Sequence, residues 1–287
     1  MAPSLDLHGK TALVTGASSG IGAALAEVLA RDVGTLVLVA RRRGRLDALA
    51  QDLVARHPSL KVQVEAVDLL DRAATAAMLD ALEARGVTID ILVNNAGFGD
   101  RGLLDSRPWD KLEALLELNV VTLTYLIHRL LPGMLARGAG GILNIGSVAG
   151  IVSKPGSAVY GASKSFVNAL GEALHAELDG TGVVVTTVLP GPVPTEFGAL
   201  AMKDDAAPVR KPSSGFEQDE KRNPIQLPPV FVVSPEQCAE ESVRALKHGQ
   251  ARLVPGGAVK VMAAVMDNLP RPIVRATLGA AAKRMRR

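Results

Sequence analysis

Cysteine, aromatic side chains and net charge are what this 287-residue chain has least of. A lone cysteine, Cys238, excludes an intrachain disulfide and any multi-cysteine metal site, and no metal is expected. Its expected place is the core, as a small apolar side chain. Aromatics make up 3% of residues against 48% hydrophobic ones, so the core must be built from Ala, Val, Leu and Ile. A formal charge of +3 is too small to argue for nucleic acid. Met1 to Asp6 show no basic segment followed by an apolar run, so no signal peptide is expected. No uninterrupted apolar stretch is long enough for a bilayer; the run from Leu123 to Leu135 is broken by His128, Arg129 and Pro132. The expectation is a cytoplasmic protein, the C-terminal segment standing apart.

What the chain does have is alternation. Short apolar runs at Thr11–Thr15, Thr35–Ala40, Lys61–Val67, Ile89–Asn94, Gly141–Ser147 and Val183–Leu189 alternate with helical periods. Such runs between helices indicate βαβ units and a parallel sheet buried on both faces. With Arg252–Val254 as a seventh strand, the predicted fold is α/β, a doubly wound, mostly parallel seven-stranded Rossmann-type sheet with helices on both faces. Residues 1–256 form one catalytic domain, in which the proline-rich segment 190–230 reads as a flexible substrate lid. One long helix is expected from Asp110 to Leu135, with Asn119 inside it.

Several residue patterns carry chemistry. Gly16, Gly20 and Gly22, with Ser18, Ser19 and Ile21 between them, follow the first strand and open a helix, where a backbone can approach a pyrophosphate. Arginines at 41 to 43 stand where an NAD site usually has an acidic group, so Arg41 is expected to favour the 2′-phosphate of NADP, with Ser18 a further donor. Asp68 and its neighbour Leu69 fall on the adenine side, Asp68 or Asp71 also being suited to cap the next helix. Asn95, Ala96 and Gly97 close the fourth strand with small side chains, and Ser147 ends the fifth on the ligand-bearing edge. Tyr160 and Lys164 lie one helical turn apart on one face. Moving a phenol from pKa ~10 to ~7 needs about 4 kcal/mol. An ammonium about 4 Å away at an effective dielectric near 20 supplies energy of that order. The pair is therefore expected to work as an acid/base catalyst, Lys164 lowering the Tyr160 pKa.

Taken together, Thr15-Gly16-x-x-x-Gly20-Ile21-Gly22, Asn94-Asn95-Ala96-Gly97, Asn119, Ser147, Tyr160-x-x-x-Lys164 and Pro190-Gly191-x-x-x-Thr195 resemble the short-chain dehydrogenase/reductase family over about residues 8 to 196. The resemblance implies that Tyr160 exchanges a proton with the carbonyl or alcohol, and that Ser147 orients it. It also implies that Lys164 bonds the nicotinamide ribose, and that Asn119 holds a relay water. Pro190, Gly191, Val193 and Thr195 would flank the nicotinamide. The implied activity is NADP(H)-dependent interconversion of a carbonyl and a secondary alcohol. A hydrophobic small-molecule substrate is expected from the apolar residues around Val148–Val152, and a homodimer or homotetramer from the resemblance. The alternative is a catalytically silent dinucleotide-binding scaffold of the same fold.

Residues 257–287 form a helical apolar stripe broken at Pro270 and Pro272. From Arg271 onward it has six basic residues and no acidic one. Such a tail suits either peripheral contact with an anionic membrane surface or packing over the substrate cleft or a subunit interface, the latter preferred.

Overall fold

The computed structural model describes residues 5–152, 154–201 and 228–286. Most of the expected lid, residues 202–227, lies outside the described residues, as does Ser153. All seven predicted strands form: β1 Thr11–Thr15, β2 Thr35–Ala40, β3 Lys61–Ala66, β4 Ile91–Asn94, β5 Gly140–Ile145, β6 Val183–Val188 and the two-residue β7 Arg252–Leu253. Every pairing is parallel, in the order β3-β2-β1-β4-β5-β6-β7. The order reverses between β1 and β4, and such a switch point opens a crevice at the carboxyl ends of the strands.

Alternation along β1 feeds two cores. Ala12 and Val14 join Leu36, Leu38 and the buried side of α1 (Gly20–Leu29) and α8 (Pro235–Lys247), including Cys238. Leu13 joins Val37, Val39 and the helices of the other face: α3 (Arg72–Ala84), α5 (Leu123–Arg137) and α6 (Ala158–Glu177). Full burial of one such leucine is worth about 1.5–3 kcal/mol, so the central strand anchors both layers. Cys238 takes its expected core place, and burial pushes its thiol up to about 12. Helix starts follow their caps: Asp71 accepts from Ala74 N–H at 2.9 Å, and Ser234 from Gln237 N–H at 3.1 Å ahead of Pro235.

The long helix expected from Asp110 to Leu135 forms as one run, Trp109–Arg137, interrupted by a π turn. Its parts are α4 (Trp109–Leu116), the π turn (Glu117–Thr122) and α5, which runs through Pro132 to a left-handed Gly138. Together they are long and apolar enough to cross a membrane by length and composition alone. Here they cover the sheet, with Leu115, Leu123 and Leu126 in the interior. The π turn buries both Asn119 and Thr122, and such turns recur at functional positions. Among the described residues the remaining α-helices are α2 (Arg43–Arg56), α7 (Glu196–Ala201), α9 (Gly257–Asn268) and α10 (Arg271–Met285).

Candidate active site

Residues from the ends of β1, β4, β5 and β6 converge at the switch-point crevice. The glycine loop after β1 is packed against its neighbours. A Cβ on Gly22 would lie 2.3 Å from the Gly16 carbonyl oxygen and 2.4 Å from Asn95 Nδ2, so only glycine fits. Thr15 and Asn95 lace the loop to β4. Thr15 Oγ1 accepts the N–H groups of Asn95 and Ala96, both at 3.0 Å, and Asn95 Nδ2 donates to Thr15 O at 2.9 Å. Ser19 sits at the N-cap of α1 but makes no side-chain capping bond. Its hydroxyl is met instead by Arg42 Nη2 at 2.7 Å. The first N–H groups of α1 and its dipole are therefore available to a phosphate, and the loop fits a dinucleotide.

Arg42 reaches this loop: its Nη2 also donates to Ser18 Oγ at 3.0 Å. Arg41 is exposed at the end of β2. Arg42 Nη1 and Arg45 Nη1 both bond Glu196, at 2.8 and 2.7 Å. Asp68 accepts from Leu70 N–H at 3.1 Å, so it shapes its own turn while Asp71 caps α3. Leu69 is buried, and its carbonyl accepts from Thr122 Oγ1 at 3.0 Å.

The fifth strand ends at Ile145, short of the expected end at Ser147, which lies two residues past β5 and caps a short 3-10 turn, Val148–Gly150. The Ser147 hydroxyl lies beside the Tyr160 phenol. Burial holds that phenol above its ordinary pKa, with nearby Ser147 opposing. Lys164 Nζ donates to Ile145 O at 2.8 Å, and burial lowers its pKa to about 8. The lowering of the Tyr160 pKa by Lys164, expected from the helical spacing, is therefore not what this structure shows. The ammonium faces a carbonyl, and desolvation dominates at the phenol.

Asn119 is fully engaged. Its Oδ1 accepts Phe98 N–H at 3.1 Å, and its Nδ2 donates to Phe98 O at 3.0 Å and to Ser163 Oγ at 3.2 Å. Gly97 is pinched between these groups: a Cβ there would lie 2.8 Å from Asn119 Oδ1 and 3.8 Å from Lys164 Nζ. The side-chain amide thus serves as a backbone brace. Beyond β6, Pro190 O accepts Val148 N–H at 3.1 Å, Gly191 packs on Val259 of α9, and Val193 is partly buried. Thr195 packs against Gly20, and its hydroxyl accepts Phe197 N–H at 3.3 Å.

Two further residues belong to the site. Phe197 leans against the Tyr160 ring, centroids 5.7 Å apart. Asn168 clamps Ser147 at both backbone groups, its Nδ2 donating to Ser147 O at 3.1 Å and its Oδ1 accepting Ser147 N–H at 3.4 Å. Gly146 and Gly150 leave it room: a Cβ on either would lie 2.1 and 2.5 Å from the Asn168 amide. The signal was present in the sequence, because Tyr160, Lys164 and Asn168 form one stripe at four-residue spacing. An Asn168→Leu protein is expected to lose about 1–3 kcal/mol in urea unfolding from the unpaired Ser147 backbone. Its kcat should fall about tenfold or more as Ser147 shifts. Unchanged kcat would mean that Ser147 needs no clamp.

A family profile described as short chain dehydrogenase matches residues 10–206. The glycine betaine reductase ATRR of Emericella nidulans is 39% identical over 209 residues, 73% of this chain. The match spans only 16% of that longer protein. The NADP-dependent 3-hydroxy acid dehydrogenase YdfG of Salmonella typhi is 37% identical over 199 residues, 67% of this chain and 77% of its own length. Among solved structures, a short-chain dehydrogenase from Sphingobium yanoikuyae in complex with NADPH superposes with a TM-score of 0.72. It is 31% identical, over 91% of this chain and 97% of that one.

Proposed function

The chain belongs to the short-chain dehydrogenase family of nicotinamide-dependent oxidoreductases, and on that footing we propose that it reduces a ketone or aldehyde with NADPH. The observation that carries this reading is the Tyr160 phenol beside Ser147, with Lys164 bonded to Ile145 O at the end of β5, near a glycine loop shaped for a dinucleotide. A reduced nicotinamide supplies the hydride when bound.

The chain's own residues handle position and proton. Ser147, fixed by Asn168, directs a hydrogen bond to a carbonyl oxygen. Tyr160, kept protonated by burial, gives that oxygen its proton as negative charge develops. At neutral pH a lysine of pKa about 8 is mostly ammonium, so Lys164 would offer a positive charge to the nicotinamide ribose. Asn95, Ala96 and Gly97 would line one side of a bound cofactor with small side chains, and Pro190, Gly191, Val193 and Thr195 would flank its nicotinamide. Arg42 with Ser18, and Arg41 beside them, favour a 2′-phosphate.

The substrate is proposed to be apolar, on the strength of Phe197 against Tyr160 and the partly buried Val148, Ile151 and Val152. Exposed Val121 and Phe166, on the π turn and α6, are the candidates for a homodimer contact in the cytoplasm. Leu115, Leu123 and Leu126 are spent on the core, and Leu118 is partly buried against it. The tail is proposed to cap the substrate side. Met285 packs on Gly156, two residues before α6, and Arg286 Nη1 meets Asp105 Oδ2 at 3.0 Å. Val261, Val265 and Ile273 remain exposed on its outer face. Flotation with anionic vesicles separates the capping reading from peripheral membrane contact: full-length protein and a 1–257 truncation should partition equally, and selective flotation of the full chain would favour the membrane.

Initial rates on a carbonyl panel with NADPH and NADH in parallel test the activity. Turnover with a clear NADPH preference is expected, and preference for NADH would overturn the cofactor assignment.

A further inference from the structure

Three consecutive side chains tie the start of α7 to three parts of the site. Thr195 fills the space beside Gly20, and Phe197 leans on Tyr160. Between them Glu196 bridges two guanidiniums, Oε2 accepting from Arg42 at 2.8 Å and Oε1 from Arg45 at 2.7 Å. Arg42 simultaneously donates to Ser18 and Ser19 of the glycine loop. The two arginines at the start of α2 thus already hold an oxyanion, delivered from a segment about 150 residues away in sequence. A guanidinium fork that grips a carboxylate grips a phosphate by the same geometry.

We propose that Glu196 is an internal counter-ion of the 2′-phosphate subsite and sets the margin by which the chain prefers NADPH over NADH. This rests on the NADP reading above. A 2′-phosphate carries about two negative charges near neutral pH, and it would draw on the same Arg42 and Arg45 donors. Glu196 must then yield its pairs or tolerate a second anion beside it. NADH carries a neutral hydroxyl at that position and leaves both pairs standing. The carboxylate therefore subtracts affinity from the phosphorylated cofactor alone. The side chains are 41–51% exposed, and ion pairs so exposed account for factors up to about fivefold each. The effect is a trimmed preference, not an inverted one. The two arginines hold the Glu196 carboxyl below the usual carboxylate range, so it is charged wherever the enzyme would work.

The test is calorimetric binding of NADPH and NADH to wild type, Glu196→Gln and Asp47→Asn. Asp47 pairs with Arg43 on the same helix at 3.5 Å, so its variant makes the same charge change without touching the fork. Glu196→Gln is expected to bind NADPH about fivefold tighter and NADH as before, with Asp47→Asn leaving the ratio of the two affinities unchanged. An unchanged ratio in Glu196→Gln, or the same shift in both variants, overturns the proposal. So does weaker NADH binding in Glu196→Gln, which would make Glu196 a ribose ligand. A wild type that binds NADPH no tighter than NADH would remove the underlying cofactor reading. A wild type that prefers NADPH, with an unresponsive Glu196→Gln, removes only this proposal.

Discussion

Replacing Tyr160 by phenylalanine is expected to lower kcat for carbonyl reduction about 10³-fold while NADPH affinity holds. The phenol is the proton donor placed against Ser147, and general-acid groups of this kind contribute about 10²–10⁴. The ring itself remains, so the contact with Phe197 and the packing of α6 are preserved. Stability should change by less than about 1 kcal/mol, because one hydroxyl leaves a site where its partner Ser147 keeps a bond from Ala149 N–H. Single-turnover reduction and cofactor fluorescence titration together check the separation. A loss of NADPH binding equal to the loss of rate would make Tyr160 a scaffold residue.

Lys164→Met is expected to act on both chemistry and stability, in opposite senses. The rate should fall about 10²-fold or more as a buried positive charge leaves the site. The stability effect follows from linkage. Unfolded lysine titrates near ~10.4, whereas Lys164 in the folded chain titrates at about 8 because burial disfavours its charge. Between those values the unfolded chain binds more protons than the folded one, so wild-type stability rises with pH, by about 3 kcal/mol in all. Below pH 8 the penalty is carried in full. Lys164→Met carries none, though it forfeits the bond to Ile145 O, worth ~1 kcal/mol. Its advantage in urea unfolding at pH 7 should therefore shrink steadily towards pH 10. Parallel stability curves would mean that Lys164 is not desolvated.

The sheet was readable because each strand is a short apolar run, and burial on both faces of a parallel sheet demands that pattern. Less readable were features that depend on partners distant in sequence. Asn119 marks a π turn because its amide brackets Phe98, 21 residues away; nothing local distinguishes that turn from an ordinary helical one. Three consecutive arginines were visible at the end of β2, but not the partners they would meet: at the head of α2, Ser18, Ser19 and Glu196 gather on Arg42. The Tyr160/Lys164 spacing was read correctly as one face of a helix. Its electrostatics were not, because helical spacing says nothing of the Ile145 carbonyl that takes the ammonium or of the burial that raises the phenol. Ser147 was legible as a candidate, whereas the role of Asn168, its support, depends on a contact 21 residues away in sequence.

The most direct test is to follow NADPH absorbance on mixing wild-type protein with a panel of apolar ketones and aldehydes, with product analysis and Tyr160→Phe in parallel. The site described here predicts stoichiometric loss of NADPH and appearance of the alcohol in wild type, with the variant slowed about 10³-fold. Tight NADPH binding with no turnover on any carbonyl would contradict it and leave a silent dinucleotide-binding scaffold.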